Sequence, residues 1–414
     1  MSTGPAAVTG MGVRCAIGTG VAAFTAALRR GTCGITEVRD PATLGPAYAA
    51  LLGEVDFAEA LAGVPAPVAR RAGRAAARAP LGLRAAVAVA VQACHDADLL
   101  GGALARDRIG VVVAGHNLTG QYAQQVGQTL ARAPARVPGR AALRLLDSDH
   151  LGVLSHVLDA AGEGCQIGGA SASGNIGIVT GARLVAAGVV DACVVVGALA
   201  DLTPLEMQAL FNLGAMADQP CRPFDAGHRG FVPGQASAAL VLEHPDSARS
   251  RRATVYAEIV GAGICLDANS GANPDEHGEV RAMAAALAAA GRPPGDVGYV
   301  NAHGTGSPLG DRTEAAALLR IFGSGADRPW VNATKALTGH CLYAAGVLEA
   351  IATIVQLRGG FLHPDPRLVE SIEPRLRLVG REPIPARVGL ALSNGFGFGG
   401  INTSVAIAVD GNSP

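Results

Sequence analysis

Three stretches of this sequence carry side chains able to do chemistry. In Gly164-Cys-Gln-Ile-Gly-Gly-Ala-Ser-Ala-Ser-Gly-Asn175 a short strand runs into a helix through a turn of small residues, which presents Ser171. A side chain at a helix N-terminus faces the positive end of the dipole and free N–H groups, as strand–turn–helix nucleophiles do. The hydrolase pattern G-x-S-x-G fails by one residue, because position 173 is Ser. The same residues also suit an ordinary N-cap serine ahead of a packed helix. Val300-Asn-Ala-His-Gly-Thr-Gly-Ser-Pro places His303 just past a strand, where α/β sheets put ligand-contacting groups, with Glu314 in the helix that follows. Asn332-Ala-Thr-Lys-Ala-Leu-Thr-Gly-His340 carries Lys335 and His340 before a helix rich in small residues. A fourth stretch, Asn394-Gly-Phe-Gly-Phe-Gly-Gly-Ile-Asn402, contains G-x-G-x-x-G. β-Branched residues follow it, so a strand and not a helix comes next, and a dinucleotide fingerprint is excluded. It reads as a pocket wall of Phe396, Phe398 and Gly399 with backbone N–H groups free to hold an oxyanion, or as a β-turn with two core phenylalanines.

The elements that position these groups alternate strand and helix, which argues an α/β fold. Strands are expected at Ala7–Val13, Arg108–Ala114, Ala192–Gly197, Ser237–Glu243, Thr254–Gly261, Gly298–Asn301, Val388–Ser393 and Thr403–Val409. Helices are expected at Gly20–Arg29, Leu81–Ala97, Asn175–Ala187, Glu279–Ala290, Asp311–Phe322 and Ala344–Leu357. Val8-Thr-Gly-Met-Gly-Val13 is echoed by Ile259-Val-Gly-Ala-Gly-Ile264, each read as a strand ending in a G-x-G turn. The echo suggests two related halves, 1–250 and 251–414, joined by the polar Ser247–Arg252 stretch.

Composition narrows the class. The chain has 414 residues, 49 % hydrophobic and 16 % charged, with net charge -1. That excludes intrinsic disorder, and without a basic stripe it argues against nucleic acid. Apolar runs such as Ala192–Ala200 are too short to span a bilayer, and the first residues do not read as a signal peptide. A cytoplasmic protein with eight reduced cysteines is expected. No His pair has helical i,i+4 spacing, so no metal is expected. Of the basic residues one alone is lysine, Lys335.

Taken together, the motifs resemble the β-ketoacyl synthases of fatty-acid and polyketide synthesis: Val8-Thr-Gly-Met-Gly, Cys221-Arg-Pro-Phe-Asp-Ala226 with Arg229-Gly-Phe231, His303-Gly-Thr-Gly-Ser-Pro, Lys335 to His340 and the Gly-Phe loop. The resemblance covers nearly the whole chain and implies the thiolase fold, two βαβαβαββ halves in a five-layer αβαβα arrangement. It implies that His303 and His340 donate hydrogen bonds to a malonyl thioester oxygen, that Lys335 with Glu314 organises the His303 side, and that N–H groups of Ser171 and Phe398 form a second polar pocket. Thr305, Ser307 and Asn394 are expected to bind substrate. In that family the nucleophile is a cysteine, and here Ser171 takes its place. A helix N-terminus readily yields a thiolate, whereas a serine hydroxyl without an adjacent base is a poor nucleophile. Gln235 also departs, where the family commonly has glutamate.

A free-standing, decarboxylating subgroup from polyketide β-branching cassettes carries the same G-G-A-S-A-S-G-N turn. Similarity to it implies conversion of malonyl-acyl carrier protein to acetyl-acyl carrier protein without condensation. No cofactor is expected beyond the carrier's phosphopantetheine arm. The expected partners are an acyl carrier protein, a second copy in a homodimer, and a hydroxymethylglutaryl-CoA-synthase-like enzyme in the pathway. Arg249, Arg251 and Arg252 are candidates for carrier docking. The alternatives are a condensing enzyme or acyltransferase that acylates Ser171, and a silent chain-length-factor-like partner, for which the retained histidines and lysine would have no chemical use.

Overall fold

Strands covered on both faces need apolar residues at every position, and Ala192-Cys-Val-Val-Val-Gly197 meets that demand. The structure, a computed structural model, describes residues 4–38, 47–269 and 271–409. Its first half contains β1 (Ala6–Cys15), α1 (Leu81–Asp96), β2 (Ile109–Ala114), α2 (Ser148–Leu158), β3 (Gly164–Ile167), α3 (Ser173–Ala186), β4 (Ala192–Gly197) and β5 (Ala236–Glu243). The second contains β6 (Ala257–Leu266), α4 (Glu276–Ala290), β7 (Tyr299–Asn301), α5 (Pro308–Phe322), β8 (Trp330–Asn332), α6 (Ala345–Gly359), β9 (Leu390–Gly397) and β10 (Ile401–Ala408). Both read βαβαβαββ.

The pairing repeats as well. The first sheet runs β1-β5-β4-β2-β3, with its first two pairings antiparallel and its last two parallel. The second runs β6-β10-β9-β7-β8 with the same senses in the same places. Ala6–Val8 pairs antiparallel with Ala257–Ile259, so hydrogen bonding makes the two sheets continuous.

Alternate residues of one strand feed different cores, which creates the layers. Val112, Val195, Leu240 and Leu242 join Ile178 of α3 and Val347 and Ile351 of α6 in the central core. Their neighbours Val111, Val113, Val194 and Val241 pack instead on α1 and α2. In the second sheet Val405 and Ile407 face the centre, while Val300, Leu392 and Ala406 face α4 and α5. The order is helices, sheet, central helices α3 and α6, sheet, helices. The stretch Leu342–Gly359 is long and apolar enough to cross a membrane, but it is 83% buried, between the two sheets.

The echoed glycines have a different role from the turn expected of them. Gly10 and Gly12 lie inside β1, and Gly261 and Gly263 lie inside β6. A Cβ on Gly12 would sit 2.1 Å from the Val89 carbonyl oxygen of α1, and one on Gly263 would sit 2.1 Å from that of Ala282 in α4. These glycines let the outer helices rest on the strand backbone. Among the described residues, four helices of nine residues or more fall outside those expected from the sequence: Ala66–Ala76, Gly120–Arg132, Ser148–Leu158 and Pro204–Asn212. The stretch expected to be a linker contains a short helix, Pro245–Ser250. Arg251 just after it is tied down by Glu243 at 2.6 Å and by the Ala97 carbonyl, and its side chain is nearly buried. Arg251 therefore braces β5 and is not available for docking, while Arg249 and Arg252 are exposed.

Candidate active site

The turn that presents Ser171 is built from contacts a larger residue would destroy. Ala170 takes a left-handed φ of 47° ahead of α3. Ser173 in the first turn of α3 closes it: its hydroxyl accepts from the Gly169 N–H at 2.9 Å and donates to the Ala170 carbonyl at 2.6 Å. A Cβ on Gly174 would lie 2.7 Å from the Gly346 nitrogen, so glycine lets α3 and α6 cross backbone to backbone. Gly397, at the end of β9, presses on the same turn, where a Cβ would lie 2.6 Å from the Gly169 oxygen. Ser171 thus sits where the two halves meet.

His340 reaches Ser171 from the second half. Its Nε2 is 2.8 Å from the Ser171 oxygen, and its Nδ1 accepts the Leu342 N–H at 3.3 Å. An accepting Nδ1 holds a lone pair, so the ring proton of the neutral imidazole sits on Nε2. The histidine donates to Ser171 and has no lone pair there to take its proton. The His303 ring stands 5.4 Å from that of His340, centre to centre and nearly perpendicular, and 5.6 Å from Phe396. Burial, together with the Lys335 charge, holds both histidines well below the usual imidazole pKa. Both remain neutral N–H donors.

The His303 loop is held by carboxylates of α5. Glu314 accepts the His303 N–H and the Gly304 N–H, each at 2.8 Å, with one bond per oxygen. Asp311 accepts from Gly306 at 3.1 Å and from Phe224 at 2.8 Å. Lys335, expected to organise the His303 side with Glu314, makes its ion pair elsewhere: the lysine Nζ meets Glu349 of α6 at 2.6 Å, with both side chains buried. Burial pushes the Glu349 carboxyl up to about 7 against the pull of Lys335. Breaking such a pair strands a buried charge and costs about 3–5 kcal/mol.

These groups line a cavity of about 570 Å³. Ser171, His303, His340, Glu314, Thr305, Ser307, Phe396 and Phe398 all reach it, as does His116. Leu202, Leu210 and Leu213, in and beside the helix Pro204–Asn212, give it an apolar wall. Three expected residues do not reach the wall: Lys335, enclosed against Glu349, and also Asn394 and Gly399. Asn394 is fully buried and spends its amide on Glu314 at 3.1 Å, accepting from Ser404 at 2.8 Å, so it positions Glu314 and does not meet substrate. The Gly399 N–H is committed to the Gly271 carbonyl at 3.1 Å, which removes it as an oxyanion donor. Gln235 accepts the Leu52 N–H at 3.0 Å, a task within reach of a neutral amide. The sequence reading missed Glu349 and Glu279. Among the described residues no cluster of His, Cys, Asp or Glu is arranged to hold a metal, and all eight cysteines are free.

Comparisons with known proteins agree with this architecture. Residues 4–248 match the family described as Beta-ketoacyl synthase, N-terminal domain, and residues 256–368 match Beta-ketoacyl synthase, C-terminal domain. The polyketide biosynthesis malonyl-ACP decarboxylase PksF of Bacillus subtilis (strain 168) is 37% identical over 338 residues, 80% of each chain. The 3-oxoacyl-[acyl-carrier-protein] synthase 2 of Staphylococcus aureus is 34% identical over 327 residues, 77% of this chain and 81% of that one. The solved ishigamide ketosynthase/chain length factor superposes with a TM-score of 0.88 at 27% identity, covering 98% of this chain and 99% of its own. The chain belongs to the β-ketoacyl synthase family and has its thiolase fold.

Proposed function

We propose that this chain decarboxylates malonyl groups carried on an acyl carrier protein, giving the acetyl-carrier without condensation, in polyketide β-branching. The observation that carries the reading is the His340 hydrogen bond from Leu342, which puts the proton on Nε2 and leaves Ser171 without a base. Acyl transfer to a serine needs that base. Decarboxylation does not, because malonyl stays on its carrier.

The chemistry then falls to the histidines. The thioester oxygen lies between the neutral donors His303 and His340. As the C–C bond to the carboxylate breaks, its electron pair forms the enolate and CO2 leaves. N–H donors aimed at the developing oxyanion, in a site already ordered, lower this barrier. The Lys335 ammonium acts on both imidazoles and favours negative charge beside them. Ser171 serves as a hydrogen-bonding wall. The similarity to PksF, a malonyl-ACP decarboxylase by name, supports the same reading. The carrier's phosphopantetheine arm brings the substrate in, and the working assembly is a homodimer that hands acetyl to a hydroxymethylglutaryl-CoA-synthase-like enzyme.

Intact-mass analysis of protein and malonyl-loaded carrier tests this. The expected result is CO2 loss from the carrier with an unmodified enzyme, and Ser171→Ala within about tenfold of wild type, since a lost neutral hydrogen bond is worth about 1 kcal/mol. An acyl adduct on Ser171, or a folded but dead Ser171→Ala, would establish the serine-dependent route instead. No reaction until a ketosynthase is added would make the chain a silent partner.

A further inference from the structure

Glu279, in the first turn of α4, is a buried carboxyl on the cavity wall. Its side chain is 1 % exposed, it lines the cavity with Ser171 and His303, and its Oε2 has no hydrogen-bond partner among the described residues. Glu314 is held by two backbone N–H groups and Asn394, whereas the half-buried Asp267 takes Asn402 on one oxygen at 2.6 Å and leaves the other unpartnered. A carboxyl kept for architecture would have such donors. One turn along, Met283 touches the Asn394 amide that also bonds Glu314, so this face of α4 lies against the carboxylate supporting His303.

Decarboxylation leaves a requirement that the histidines do not meet. The enolate must gain a proton on carbon to become acetyl. His303 and His340 hold its oxygen with N–H groups of neutral rings, which are weak acids, and the Ser171 hydroxyl is another. A condensing enzyme needs no acid at this step, because the carbon attacks an acyl group.

We propose that Glu279 is the general acid that protonates this carbon. The step rests on the decarboxylase reading. The Glu279 O–H bond breaks, the enolate C=C pair forms the new C–H bond, and the thioester C=O is restored. Glu279 is left as a carboxylate and recovers its proton from water. The overall change is malonyl thioester plus one proton to acetyl thioester plus CO2. Its surroundings suit the task. Burial first, then Glu314 of α5, Asp267 after β6, and Glu276 and Asp275 at the start of its own helix, hold the carboxyl protonated well above the ordinary carboxylate range. The same carboxylates drive the anion to regain a proton after each turnover.

Glu279→Gln keeps the shape and removes the acid. Acetyl-carrier formation should fall by about 10²-fold or more, the usual scale of general-acid catalysis, with malonyl-carrier affinity within about threefold. Wild type should lose rate as alkaline pH ionises Glu279, this variant should show no such fall, and Glu279→Asp should restore part of the rate. The infrared difference between wild type and Glu279→Gln at neutral pH should contain a protonated-carboxyl C=O band. Activity of Glu279→Gln within about threefold of wild type, a scale well below general-acid catalysis, would overturn the proposal. Absence of the band would overturn it too. A wild-type enzyme that releases no CO2 would instead overturn the decarboxylase reading itself, and the infrared band separates the two failures.

Discussion

The two halves hold one loop by the same device and use it differently. β2 ends at Ala114 and β7 at Asn301, and a histidine follows two residues later in each, His116 and His303. A carboxylate then accepts two consecutive backbone N–H groups, one per oxygen: Asp147, the N-cap of α2, in the first half, and Glu314 of α5 in the second. Asp147 takes Asn117 and Leu118, and Glu314 takes His303 and Gly304, all at 2.8 Å. The difference is burial. Glu314 is sealed, whereas Asn117 is exposed and the His116 ring, 4.5 Å from that of Tyr343, is partly open to solvent. Two loops stand in equivalent places, and in the sealed one the histidine stays neutral and fixed.

The largest way to break this asymmetry is His303→Ala. It should lower malonyl-carrier decarboxylation by about 10³-fold, the upper range for one oxyanion donor, while His116→Ala stays within about threefold. Equal losses would mean that both loops do the chemistry. Next come the carboxylates: Glu314→Gln should cost about 10–10² in kcat by loosening the His303 loop, and Asp147→Asn much less, both read in single-turnover assays. The smallest effect belongs to stability. His150 in α2 is buried with neither ring nitrogen partnered, and burial lowers its pKa from 6.5 to about 4. The unfolded chain binds that proton more readily, so stability is present above 6.5 and drains as pH falls toward 4. His150→Gln should therefore gain about 2 kcal/mol relative to wild type at pH ~5 over its difference at pH ~8, measured by denaturant unfolding. A flat difference would refute that sign.

Much of the scaffold was legible because covered strands write themselves as apolar runs. Ala192–Gly197 falls on its observed bounds, and the central helices differ from expectation by one or two residues at each end. The helix Gly120–Arg132 was not legible, since its glutamines and threonine form no apolar stripe and none of its residues is buried. The site was legible as motifs but not as contacts. Ser171 and His340 lie 169 residues apart, and nothing local announces their meeting. Glu349 hides in the apolar helix Ala345–Gly359, 14 residues from its lysine. Asn394 and Gly399 were misassigned because their roles depend on which way one polar group turns.

The buried Lys335–Glu349 pair has a practical consequence. The one lysine side chain of this sequence is fully enclosed, so amine-acylating reagents cannot reach it while the fold holds. A mass increment on Lys335 then records the moment the core between the sheets opens. The sequence carries its own single-residue clock for unfolding, with no label to engineer.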